Sequence, residues 1–473
     1  MVRRGRRNSY GILLKIVLAA VFVYCGYSIY EKNAFLNLSE FVEKSELNGR
    51  NFNTKVEEVV SPRYKIKAYL FKNKTNPIIA MNFMFKNAGY ASEDENKLGI
   101  ANLATEMLIS GAGDLNDEQF KEKLEDNAIS IGFHAEKDDF PGSLLTTVEN
   151  KEIAFEMLKN VLEKPRFESD DLLRAKQRLQ EALRQQSEHP ESVLRLEFNK
   201  ELYGTHQYGR NPLGKKDTID KITAQDLRDF MKRNFAKSNL IVGVAGDITV
   251  DELGAWLDRI FGGLPENANM NFVRNPDINF VAKNKDIKLT TAQNTAMFAV
   301  EGVSRNDTDF YPLYVANFIL GGSGLTSRLS LAARENEGLT YSIWTTMGLA
   351  DKSPLIIGSF SSTPEKFDDV VQIMLQEWRN FATKGATALE VEEAKKYLIA
   401  SYNLRFAAIS DIAEMMMLMQ RDNLGVDFLQ KRNNYVRDVS LEQVNRVAAQ
   451  YYNAEKLVRV NIGVFAEENK EHE

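Results

Sequence analysis

Arg334 and Tyr341 are the two side chains of this sequence best suited to handling a peptide. Arginine offers a planar fork of donors that fits a carbonyl or carboxylate oxygen, and tyrosine offers one phenolic donor. They stand seven residues apart in the stretch 320–344, LGGSGLTSRLSLAARENEGLTYSIW. That stretch reads as a glycine-rich turn at Gly321, Gly322 and Gly324, an amphipathic helix with Leu325, Leu329 and Ala332 on one stripe, and a strand opening near Tyr341. Gly338 is placed to end the helix. A plainer reading competes: an arginine in a last helical turn complements the dipole, and tyrosine at a strand start is ordinary β propensity. The rest of the chain has to decide between them.

Composition closes off several other chemistries. The chain has 473 residues, 44% hydrophobic and 27% charged, enough for two or three globular domains. A net charge of -6 gives no basic excess, so nucleic acid is not a partner. Cys25 is the single cysteine and lies in an N-terminal apolar run, which leaves the folded part without disulfide, thiolate or cysteine-ligated metal chemistry. The four histidines, His134, His189, His206 and His472, include no pair at helical zinc spacing. No metal is therefore expected in this chain.

Arg3, Arg4, Arg6 and Arg7 precede an apolar run over residues 11–30, close to the ~20 residues that span a bilayer. The arginines predict a cytoplasmic N-terminus and an uncleaved signal anchor in a bacterial inner membrane, crossed once, with the bulk in the periplasm. A mitochondrial presequence is the alternative, since no acidic residue occurs before Glu31. Residues 31–63 read as a connector, polar and weakly helical over 31–50. Alternation predicts strands at 64–71, 77–85, 143–148 and 239–245, and helical spacing covers 98–109, 116–127, 151–163, 169–186, 191–202 and 222–234.

A repeat sets the architecture. Residues 222–227, ITAQDL, match 439–444, VSLEQV, and the same register carries Phe235 onto Tyr452 and Leu240 onto Leu457. Nearer the start of each half, Gly99 to Leu103 lies on Tyr314 to Phe318 at nearly the same offset. The expected fold class is α+β, two homologous lobes at 64–264 and 286–468, joined by an Asn-rich linker at 265–285 and preceded by one membrane helix.

These landmarks resemble the insulinase/pitrilysin family of zinc peptidases, especially its small bacterial members and the mitochondrial processing peptidase subunits. The resemblance rests on the strand ending at Gly89, KLGIANLATEML, LYGTHQYGRNPLGKKDTIDKITAQDL, VAGDI and the stretch around Arg334, and it covers residues 65–465 in order. It implies lobes made of an antiparallel-rich sheet and a layer of helices, two lobes per chain and two chains per particle, around a peptide chamber. Active members carry H-x-x-E-H on the first helix of the first lobe, two zinc-binding imidazoles and a glutamate base. Here those positions are Asn102, Thr105 and Glu106, and Glu181 is nearest to the family's further glutamate ligand without counting as one. The second lobe matches better. The resemblance gives Arg334 and Tyr341 the role of holding the substrate backbone and stabilising its oxyanion beside Gly321, Gly322 and Gly324, over a zinc bound by a partner chain that bears H-x-x-E-H.

Three functions follow from this: a non-catalytic, membrane-tethered subunit of a heterodimeric zinc metallopeptidase; a peptide-binding or structural pseudopeptidase; and, ranked last, a hydrolase built on Glu136, Asp138 and Asp139 near His134, acids that otherwise read as surface. The run Met415, Met416, Met417 and Met419 reads as core filling.

Overall fold

The computed structural model describes residues 55–465. The anchor expected at 11–30 and most of the connector lie outside the described residues. Among the described residues, no helix is long and apolar enough to cross a membrane.

The first lobe runs β1 (Val56–Val60), β2 (Lys67–Lys72), β3 (Ile78–Phe85), α1 (Ile100–Met107), α2 (Asp117–Asp126), β4 (Ser130–Phe133), β5 (Phe140–Thr147), α3 (Lys151–Glu163), α4 (Ser169–Glu188), α5 (Pro190–Tyr203), α6 (Lys216–Lys221), α7 (Ala224–Asn234), β6 (Leu240–Gly246) and α8 (Val250–Phe261). The second runs β7 (Lys283–Lys288), β8 (Asn294–Glu301), α9 (Phe310–Asn317), β9 (Ser342–Ala350), β10 (Ser353–Ser362), α10 (Phe367–Lys384), α11 (Ala388–Ala400), α12 (Ile409–Arg421), α13 (Phe428–Arg437), α14 (Leu441–Tyr451) and β11 (Val458–Gly463).

Sheet order shows the internal repeat directly. The first sheet is β1-β2-β6-β3-β5-β4 and the second β7-β11-β8-β10-β9. In each, the second-lobe strand occupies the place of its first-lobe counterpart, and only β2 with β6 and β7 with β11 pair in parallel. Local chemistry repeats too. Thr223 caps α7, accepting from Asp226 N at 3.2 Å while the Asp226 carboxylate accepts from Thr223 N at 2.7 Å. Ser440 and Gln443 build the same reciprocal cap on α14. Phe235 and Tyr452 are buried at the ends of these helices, and the strands that follow both stop at a glycine with positive φ, +138° at Gly246 and +150° at Gly463.

The lobes exchange helices. α12 of the second lobe lies on β6, β3 and β2 of the first sheet, while α5 of the first lobe lies on β11 and β8 of the second. Met416, Met417 and Met419 are buried in this arrangement, so three of the four methionines fill a core and Met415 is half-buried. Gly243 makes the α12 contact possible: a Cβ there would sit 2.2 Å from Met417 N and 2.4 Å from Ala413 O. Gln420 Nε2 donates to the Val242 carbonyl at 3.2 Å across the same seam.

Several expectations are corrected. β1 lies inside the segment read as connector and β7 begins inside the linker, because short paired strands with mixed polarity give little alternation. β4 is a four-residue edge strand that no pattern announced. Of the acids read as surface, Glu136 is exposed, but Asp138 joins the lobes, accepting from the Tyr208 hydroxyl and from Asp351 N at 3.0 Å, and Asp139, 3% exposed, accepts from Asn87 N at 2.9 Å. Burial pushes the Asp139 carboxyl up to about 6.

Candidate functional site

α1 carries the three positions of the degenerate zinc motif, and every one of them is committed elsewhere. The helix starts after Gly99, whose φ of +95° favours glycine. Glu93 reaches in to accept from Gly99 N at 2.9 Å and Ala101 N at 2.8 Å, using two amides that the first helical turn leaves without partners. Glu93 is 5% exposed. Desolvation raises its carboxyl to about 8, against the downward pull of those two amide bonds and of Arg210. Asn102 Nδ2 donates to the Pro212 carbonyl at 2.5 Å, and Thr105 Oγ1 donates back to the Asn102 carbonyl at 2.7 Å. Glu106 accepts from Arg178 Nε on α4 at 2.6 Å and from the same guanidinium's Nη2.

A zinc ion does not fit these residues. There is no imidazole, the amide of Asn102 is turned to a carbonyl, and an arginine holds Glu106 where a dication would have to bind. Glu181 is exposed and accepts from Arg184 Nε at 2.9 Å and Nη2 at 2.6 Å, which pulls its carboxyl down to about 2. Among the described residues no cluster of His, Cys, Asp or Glu could hold a metal. Sequence reading missed Arg178 and Glu93; each sits in a charged run that looks solvated, and only the fold buries Glu93 and brings the exposed Arg178 onto Glu106.

The corresponding helix of the second lobe behaves differently. α9 continues into a π-helical turn, Phe318–Gly322, in which Gly321 presses against β9: a Cβ there would lie 2.4 Å from Thr345 Oγ1. Gly324 has φ of +61°. The helix expected after it is shorter and wider than read, a single turn Arg328–Ser330 followed by the π turn Leu331–Asn336. Leu329 and Ala333 are buried, the wider turn moving the stripe from Ala332 to Ala333, whereas Leu325, in a separate turn before the helix, is 52% exposed. Arg328 anchors the turn through a two-pronged pair with Glu390, at 2.6 and 2.7 Å, and holds that carboxyl down at about 2 against its burial. Gly338, φ +60°, ends it as expected, donating to the Arg334 carbonyl at 2.9 Å while Leu339 N donates to Ala333 O at 2.9 Å.

Arg334 and Tyr341 are brought together across this turn. The Arg334 guanidinium carbon lies 5.2 Å from the Tyr341 ring centroid, within cation–π range, and Tyr341 is 80% exposed at the start of β9. β9 is the edge strand of its sheet, but next to these two donors its backbone is already engaged: the Ile343 carbonyl accepts from Ser330 Oγ and the Thr345 carbonyl from Asn317 Nδ2, both at 3.3 Å. The pair can bind and orient a peptide carbonyl. It supplies neither nucleophile nor general base.

The sequence matches the family profile "Insulinase (Peptidase family M16)" over residues 67–216 and "Peptidase M16 inactive domain" over residues 221–398. It is 26% identical over 384 residues to the "Non-peptidase homolog YmxG" of Helicobacter pylori, covering 80% of this chain and 88% of that one. It is 21% identical to the "Uncharacterized zinc protease YmxG" of Bacillus subtilis, covering 82% and 93%. In structure it is similar to the crystal structure of the peptidase M16 inactive domain from Pseudomonas fluorescens, at 25% identity and a TM-score of 0.81 over 87% of this chain and 98% of that one. With both halves matched in order and the zinc-motif helix rebuilt without its ligands, the chain belongs to the insulinase family of peptidases, as a member that lacks H-x-x-E-H.

Proposed function

We propose that this chain is the non-catalytic subunit of a heterodimeric zinc peptidase, lending Arg334 and Tyr341 to a partner that carries H-x-x-E-H and the zinc. The observation that carries the reading is the Arg334–Tyr341 pair, its tyrosine ring 80% exposed, in a chain whose own zinc positions are occupied by Pro212 and Arg178. Relatives named as a non-peptidase homolog and an inactive domain support it. Gly321 and Gly322 let the preceding segment close on β9, where substrate would lie. Residues 11–30 tether the chain in the inner membrane, and its lobes work in the periplasm. The second reading, a pseudopeptidase that binds peptide without proteolysis, shares the exposed Tyr341.

Co-purification with a zinc-bearing family member, followed by peptide cleavage assays of wild type, Arg334→Ala and Tyr341→Phe at equal dimer content, separates the two. Slow variants support the subunit role. A dimer that forms and cleaves at the wild-type rate with either variant moves the function to binding alone.

A further inference from the structure

The second lobe holds a cavity of about 500 Å³, bounded by α9, β9, α11, α12 and α13. Four arginines line it, Arg305, Arg405, Arg421 and Arg432, against one acid, Asp422, which Arg421 already engages at 2.7 Å. Among the described residues the other three have no carboxylate partner. Arg432 is the costly one. It is 4% exposed, and its Nη1 donates to the Leu398 carbonyl at 2.7 Å and to Asn433 Oδ1 at 3.1 Å, while Nη2 reaches only the Tyr314 hydroxyl at 3.5 Å. Its guanidinium carbon sits 4.1 Å from the Tyr402 ring centroid, which offsets only part of the desolvation of a buried cation.

Two more atoms in the same cavity are unsatisfied. Asn317 Oδ1 and Thr345 Oγ1 are buried without a hydrogen-bond partner, on residues 6% and 3% exposed. Native structures rarely leave such groups unpaired, because each costs the desolvation it has suffered. Asn317 Nδ2 donates to the Thr345 carbonyl at 3.3 Å, which leaves its oxygen as the acceptor still open. The remaining walls are aromatic and apolar, including Tyr402 and, from α12, Met415 and Leu418.

We infer that this cavity binds the carboxy-terminal end of a peptide: the carboxylate against Arg432, Arg405 and Arg305, a peptide N–H on Asn317 Oδ1, and an apolar or aromatic last side chain on the tyrosine and methionine wall. The volume suits a ligand of one to three residues. An anion with no N–H would leave Asn317 unpaired, and a neutral ligand would leave Arg432 uncompensated. The choice of a peptide over other amide-bearing carboxylates rests on the peptide-handling role proposed above; the anion, the donor and the apolar body rest on the cavity alone.

Calorimetric titration of the full-length chain with N-acetylglycyl-phenylalanine, its C-terminal amide, and phenyl phosphate tests the assignment. The acid should bind, and the amide at least about tenfold more weakly, the loss of one charge-assisted contact set. Arg405→Gln, at an exposed position that folding does not need, and Arg432→Lys should each weaken the acid about tenfold or more and leave the amide unchanged. Arg334→Ala should bind the acid as wild type does, which keeps this result apart from any failure of the subunit role. Equal affinity for acid and amide, no binding of the acid at about 10 mM, or unchanged affinity in Arg405→Gln would overturn the proposal. Tighter binding of phenyl phosphate than of the acid would overturn it in favour of a phosphate ligand.

Discussion

Asn102 and Asn317 occupy the same place in the two halves of this chain, and they have opposite fates. In the first lobe Asn102 is tied to Pro212, Thr105 is folded back on the helix and Glu106 is paired with Arg178, so the helix spends its polar groups on its own surroundings. In the second lobe Asn317 keeps a bare oxygen, the helix widens into π turns, and Tyr341, against the Arg334 guanidinium, is exposed to solvent. One lobe has been converted to scaffold by internal satisfaction; the other retains unspent capacity for a ligand. The loss of a catalytic motif therefore leaves a readable trace: the vacated positions acquire local partners.

The widest gap between the lobes should appear in the assembled peptidase. Tyr341→Phe removes one donor to a developing oxyanion and should lower kcat ~100-fold, ~3 kcal/mol, while Arg334→Ala worsens KM as well as kcat. Asn102→Ala and Thr105→Ala should stay within about twofold of wild type in the same assay. A first-lobe variant as damaging as a second-lobe one would erase the distinction.

The helix exchange gives a second asymmetry. Gly243 lies against the backbone of α12, whereas the position that matches it in the Leu240-on-Leu457 register is Val460, buried by side chains under α5. Gly243→Ala forces backbone apart and should destabilise by roughly 1–3 kcal/mol in denaturant unfolding. Val460→Ala removes methyl groups without any clash and should cost about 1–3 kcal/mol, with retained interlobe spacing in a crystal structure. Spacing that moves only in the glycine variant sharpens the contrast.

Glu93 adds a pH signature confined to the first lobe. Its carboxyl titrates near 4.5 when unfolded and near 8 when folded, so between these values the folded chain holds a proton that the unfolded chain has released. Its contribution is complete below about pH 4.5 and is lost as pH rises to about 8, with a slope of at most about 1.4 kcal/mol per pH unit. Replacing Glu93 by Gln should flatten stability against pH over that window. The smallest effect belongs to Glu106→Gln, which breaks a half-exposed ion pair and should cost below about 1 kcal/mol in thermal unfolding.

Much of this was readable from sequence for physical reasons. The stop at Gly338, in a left-handed conformation that favours glycine, and the match of 222–227 to 439–444, which both open capped helices, are local features, so they show through. The absence of imidazoles at Asn102 and Glu106 is equally visible. What remained hidden depends on tertiary placement. Nothing in the period of α12 says that it covers the other lobe's sheet, and nothing in the composition of 136–139 says that Asp139 is buried. The arginine cavity was invisible because Arg305, Arg405 and Arg432 are spread along 128 positions and meet only in the fold.

The exchange of α5 and α12 also bears on how the protein is made. β6 leaves the ribosome roughly 170 residues before α12 is complete, an interval of about 10–35 s at ordinary elongation rates. Throughout it, Met84, Ile241 and the strip around Gly243 lack the helix that buries them in the finished chain. The nascent first lobe is thus a sticky intermediate that requires either a chaperone or its own late-arriving helix, and a polypeptide stopped after residue 285 should bind a hydrophobic dye that the whole chain excludes.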